Sequence, residues 1–173
     1  MRADARRNRE LIVTTALDLF AEHGARVSME EIARAAGLGV GTLYRHFPDR
    51  QALLEEIAVD TLQRLMTFSR AAAAEETPRW QVLRLVVEHC AGLPLGLAKT
   101  LSSTPISHPE LPRLERDLNA LFEQLAKGAQ EEGTLREDIP PSEVIALLNV
   151  AICRPGARAD DYLTTVILDG LRR

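Results

Sequence analysis

Apolar positions recur along this chain at a spacing of three and four residues, the period of a helix with one buried face, and they do so almost from end to end. Between Ala5 and His23, Ile12, Ala16, Leu19 and Phe20 fall on one stripe, and Gly24 follows as a helix stop. Ile32, Ala35 and Ala36 mark a second helix of roughly two turns, ended by Gly37, and Leu43 with Phe47 marks a third, ended by Pro48. Asp49 suits an N-cap for a long helix reaching about Ala73, with Leu54, Ile57, Ala58, Leu62, Leu65 and Phe68 inward. Thr77-Pro78 restarts the chain with a cap and a first-turn proline, leading into an apolar run from Trp80 to Leu101 that Gly92, Pro94 and Gly96 interrupt. Ser102 to Pro112 reads as a loop. A helix over about 112–132 follows, with Leu114, Leu118, Leu121, Phe122 and Leu125 on its apolar side, and Gly133 closes it. Two more helices are predicted near Ser142–Cys153 and Asp160–Leu171. No segment alternates strongly enough to be a strand, so the fold class is all-α.

The stretch Ser28 to Arg50 carries the most specific pattern. Ser28 with Glu31 three residues on is a capping box, in which the hydroxyl accepts from an otherwise unpaired amide and the carboxylate reaches back. Two short helices joined by the turn Leu38-Gly39-Val40 make a helix-turn-helix, whose second helix can lie in the major groove of double-stranded DNA. Its residue types suit that task. Arg45 can bond a guanine edge with two hydrogen bonds, and Thr42 can meet a thymine methyl or a phosphate. Tyr44, His46 and Arg50 offer donors to phosphates, small Val40 and Gly41 allow a close backbone approach, and Ser28 stands at the edge of the same surface.

At these residues the chain resembles the TetR-type bacterial transcriptional regulators. The likeness rests on Phe20 and Gly24, Ile32-Ala33, Ala36-Gly37, the run Gly41-Thr42-Leu43-Tyr44-Arg45-His46-Phe47, and Arg50 with Leu53-Leu54. It extends over roughly residues 9–57. The resemblance implies a dimeric, all-helical repressor: a three-helix DNA-binding domain, expected over residues 1–52, and a helical regulatory and dimerisation domain over 53–173 that senses a small-molecule effector. The domains are expected to divide inside the long helix. Arg50 stands where the family commonly has lysine, and either cation pairs with phosphate.

Charge modifies this picture little. The formal charge is −4, unpromising for a polyanion partner, yet residues 1–50 hold eight arginines against seven acids, net +1, and the remainder carries −5. Arg2, Arg6, Arg7 and Arg9 form the densest basic cluster, which can follow a phosphate strand, enter a minor groove or remain a solvated terminus. Cys90 and Cys153 are too few for a disulfide framework. No secretory leader is evident, and no apolar run reaches the roughly 18–20 residues that span a bilayer, so no membrane association is expected and the location is expected to be cytoplasmic.

Catalytic and metal chemistry find no constellation, and neither an enzyme nor a cofactor is expected. Asp160-Asp161 are neighbours that point about 100° apart on a helix, and His89-Cys90 lack a second ligand pair. Two further surfaces remain. Val144, Leu147, Leu148, Ala151 and Ile152, with Tyr162, Leu163, Val166, Ile167, Gly170 and Leu171, give the last two helices apolar stripes that either pack on their own subunit or, as the resemblance implies, pair in a homodimer. The interrupted segment, with Trp80, Leu83, Val86, His89, Cys90, Leu93 and Leu97, faces Leu118, Phe122 and Leu125. It lines either an effector pocket or a solid core.

Overall fold

The computed structural model describes residues 2–23, 26–90, 93, 108–154 and 157–173. Eight helices account for most of them: α1 (Arg2–His23), α2 (Met29–Ala35), α3 (Val40–His46), α4 (Arg50–Ala74), α5 (Arg79–Cys90), α6 (Leu111–Glu131), α7 (Pro141–Ile152) and α8 (Tyr162–Leu171). Among the described residues the only β pairing is an isolated bridge between Leu135 and Arg172.

Helices α1 to α3 close on the first turns of α4 around Ile12, Ala16, Phe20, Ile32, Leu43, Phe47, Leu53 and Ile57. From Ala58 onward the inward face of α4 belongs to a second core, shared with α5, α6, α7 and the end of α8. The change-over thus falls between Ile57 and Ala58, inside the long helix but beyond the expected boundary at 52/53. Leu54 touches both clusters. One continuous helix serving two cores leaves no flexible linker between them.

Local chemistry sets the joints. Asp49 caps α4 by accepting from the Ala52 amide at 2.8 Å. Arg79 holds the end of α4 to the start of α5, donating to the Ala73 carbonyl at 2.7 Å, while its own amide donates to Glu132. The α8 start is capped by Asp161, whose carboxylate accepts from the Thr164 and Arg158 amides at 2.9 Å each and from Arg154. Those amides hold the Asp161 carboxyl well below the usual range, and Asp160 pairs separately with Arg158. The two adjacent aspartates therefore serve as a helix cap and an ion pair.

The apolar stripes of α7 and α8 divide more finely than their sequence suggests. Val144, Leu148, Ala151 and Ile152 are buried within the subunit, as is Leu171, and Ile167 packs half-buried on the same core. Val144, Leu148, Ala151, Ile152 and Leu171 thus belong to the subunit's own core, and Ile167 keeps part of its surface open. Along α7, Val144, Leu148 and Ala151 at i, i+4 and i+7 point inward with Ile145 and Ile152 beside them, whereas Leu147 and Val150 turn to solvent. What remains exposed is Leu147, Val150, Tyr162, Leu163 and Val166, together with Gly170.

The residues expected to line either a pocket or a solid core lie together. Trp80, Leu83, Val86 and Cys90 of α5 meet Leu118, Phe122 and Leu125 of α6 in one core cluster, with Leu93 half-buried against it. His89 is stacked on Phe68 at 4.0 Å between ring centres. Burial pushes the Cys90 thiol up to about 12. Leu97, like the interruptions at Gly92, Pro94 and Gly96, lies outside the described residues. An open groove of about 480 Å³ lies on the outer side of α5, between Pro78, Gln81, Arg84, Leu85, Glu88, Thr134 and Arg172, with Trp80 in its lining.

Candidate nucleic-acid interface

The geometry of the reading unit follows from its caps. Ser28 Oγ accepts from the Glu31 amide at 3.2 Å, and Glu31 Oε2 accepts from the Ser28 amide at 2.7 Å, completing the capping box and starting α2. Bonding to Ser28 lowers the Glu31 carboxyl from its ordinary value. The hydroxyl of Ser28, assigned from sequence to the DNA surface, accepts at the helix start and keeps its own proton to donate. At the far end of α2, Gly37 takes φ +67°, a left-handed conformation in which any Cβ is strained, and the Leu38 amide returns to the Ala33 carbonyl at 2.9 Å. This turn aims α3 away from α2.

On α3, Leu43 is fully buried and Phe47 behind it nearly so, which anchors the helix by one face. The opposite face carries Val40 and Tyr44, respectively 38% and 40% exposed, with Gly41 and Arg45 beside them and Thr42 and His46 half-buried at the edges. A Cβ built at Gly41 meets nothing within 4 Å. The chain's own packing therefore does not require glycine there, and the space it leaves faces outward. Arg45 lies along the helix, Nε donating to the Gly41 carbonyl at 3.3 Å, and is otherwise open to solvent. Thus Val40, Gly41, Thr42, Tyr44 and Arg45 come together as one outward surface.

Arg50, expected from sequence to meet a phosphate, has partners within the chain. Its guanidinium donates to the Val27 carbonyl and lies 5.2 Å over the Phe20 ring. It ties α4 to the α1–α2 connection, because the first turn of α4 points its long side chains back into the three-helix core. The residue that composition could not single out is Arg9. It leaves the basic arm to bond Glu56 and the carbonyl of His46. Only the spacing of Arg9 opposite the first turns of α4 hints at this, and a one-dimensional pattern does not give it.

A buried anchor face, an outward polar face and an αL turn on a three-helix support define a helix-turn-helix DNA-reading domain, joined through α4 to a helical second domain. Residues 12–57 match the family described as bacterial regulatory proteins, tetR family, and residues 76–173 match the C-terminal domain of SbtR-like transcriptional regulators. The chain belongs to the TetR family of bacterial transcriptional regulators, a family of regulators and not of enzymes. A TetR regulatory protein of Mycobacterium vanbaalenii is similar over 99% of both chains, at 36% identity and TM-score 0.67. The TetR regulator SCO0520 of Streptomyces coelicolor is 31% identical over 95% of this chain and 98% of its own, with TM-score 0.63. An HTH-type transcriptional regulator of Staphylococcus aureus, SAUSA300_2515, is 33% identical over 90 residues, 51% of this chain and 49% of the relative. The chain spans about half the length of such curated relatives. Among the described residues no helix is long and apolar enough to cross a membrane.

Proposed function

We propose that this chain is a dimeric repressor that covers a palindromic operator and is released from it by a small-molecule effector. The observation that carries the reading is the outward face of α3, where Tyr44 and Arg45 stand beside Val40, Gly41 and Thr42 on a helix anchored only from behind. Arg45 reads a base edge, and Tyr44, Thr42 and His46 hold phosphates. A protein-binding helix would present large apolar anchors instead.

The exposed face of α7 and α8, from Leu147 and Val150 to Tyr162, Leu163 and Val166, supports pairing of two copies, and a two-fold axis between them makes the operator palindromic. An effector acting on the second domain has α4 as its route, since that helix contributes to both cores. The core cluster that α5 shares with α6 is the observation behind a second reading, a regulator with no small-molecule inducer. A thermal-shift screen of metabolites, followed by titration of each hit with and without operator, separates the two. An inducer loses roughly 5- to 150-fold in affinity on the DNA-bound protein, as reciprocity of coupling demands. Hits that bind equally in both states, or an empty screen, favour the second reading.

A further inference from the structure

Arg9 sits in the arginine-rich first half of α1, yet its side chain turns inward. Nε and Nη2 grip the Glu56 carboxylate of α4 at 3.1 and 2.6 Å, and Nη1 donates to the His46 carbonyl at 3.2 Å. The same guanidinium lies 4.4 Å over the Phe47 ring. His46 is the last residue of α3 and Phe47 its C-cap. A cation from α1 thus closes the end of the reading helix, where carbonyls lack partners within the helix and the dipole favours positive charge.

Glu56 is shared. His108, just ahead of α6, places Nε2 at 3.8 Å from the same carboxylate oxygen that Arg9 Nη2 holds. His108 Nδ1 accepts from the Glu110 amide at 3.3 Å, so the ring hydrogen belongs on Nε2, facing Glu56. Gln63 of α4 donates to Glu110 at 3.2 Å and fastens the same short segment a second time. Arg9 from α1 and His108 from the second domain thus converge on one carboxylate of α4.

We propose that Arg9 is a positioning residue for the α3 helix and that Glu56 is the joint through which the segment entering α6 sets Arg9, and hence the end of α3. Its functional meaning rests on α3 being the DNA-reading helix, whereas the joint itself is a property of the chain alone. Arg9 needs its planar fork for this: two donors match the carboxylate while a third reaches the carbonyl, and an ammonium has no such fixed geometry. Displacing His108 frees one side of the carboxylate and loosens the register of the fork.

Hydrogen exchange of the full chain without DNA tests this through the α3 amides, above all Phe47, which bonds the Leu43 carbonyl at 2.9 Å. Arg9→Lys is expected to speed exchange there about tenfold, and His108→Ala about threefold, with the α7 amides unchanged. In the Arg9→Lys background, His108→Ala should add nothing, because both act through one path. Should Arg9→Lys unfold the N-terminal domain, Glu56→Gln, which keeps the shape and one acceptor, takes its place in the cycle. Fully additive effects, or α3 exchange unmoved by either substitution, overturn the proposal. Non-additivity in a protein that selects no DNA sequence retains the joint and removes the reading of α3, so the two failures are distinguishable.

Discussion

Substituting Val166 by Asp tests the α7–α8 face without disturbing the subunit. Val166 is 66% exposed, so the folded chain does not depend on it. Sealing a whole valine is worth about 1.5 kcal/mol, hence about 1 kcal/mol at this exposure and about 2 for the symmetric pair. Two carboxylates buried without partners add a desolvation penalty of several kcal/mol. If about 2 kcal/mol of that penalty survives relaxation, the total of about 4 kcal/mol raises the dimer dissociation constant about a thousandfold. Sedimentation velocity over a dilution series reads this directly, and circular dichroism should stay fully helical. Ile167→Asp is a poorer probe, since Ile167 packs on its own core and the substitution mixes unfolding with dissociation. A Val166→Asp protein whose dimer constant stays within threefold of the parent refutes the assignment of this face.

Three further outcomes follow from particular side chains. Arg45→Ala should cost roughly 1–3 kcal/mol at one base position of a selected site and relax preference there, with thermal stability within about 0.5 kcal/mol, measured by competition binding and melting. Gly37→Ala should destabilise the chain by roughly 1–2 kcal/mol in urea, because its φ of +67° strains any Cβ although the space around it is empty. The Cys90 thiol, raised by burial from 9.0 to about 12, is protonated in the folded chain and should resist alkylation at pH 8 until denaturant is added. The same shift favours the folded state below the unfolded thiol's pKa, so its contribution falls as pH rises from about 9 toward 12.

Periodicity made the helices legible because each buries one face, and an apolar stripe records that face whatever its partner. The capping box at Ser28 and Glu31 and the stop at Gly37 were readable for the same reason: their partners are neighbours in sequence. Arg50 and Arg9 were not. Both are surface-type residues in a basic region, and what each does depends on a carbonyl or carboxylate 23 to 47 positions away. The stripes on α7 likewise merged an inward and an outward row, since Leu147 and Leu148 are equally apolar while only the fold separates them. Leu83, Val86 and Cys90 were legible as core for the same reason as the other stripes, since they recur on one face of α5.

Selection of bound duplexes from a random DNA pool by the full chain tests the central claim, that α3 reads sequence for a two-fold regulator. The account predicts enrichment of an inverted repeat whose half-sites lie about one helical turn apart, or a multiple of it, with Arg45→Ala losing preference at one position in each half. A pool that remains unenriched, or that yields only unpaired sites indifferent to Arg45, contradicts it.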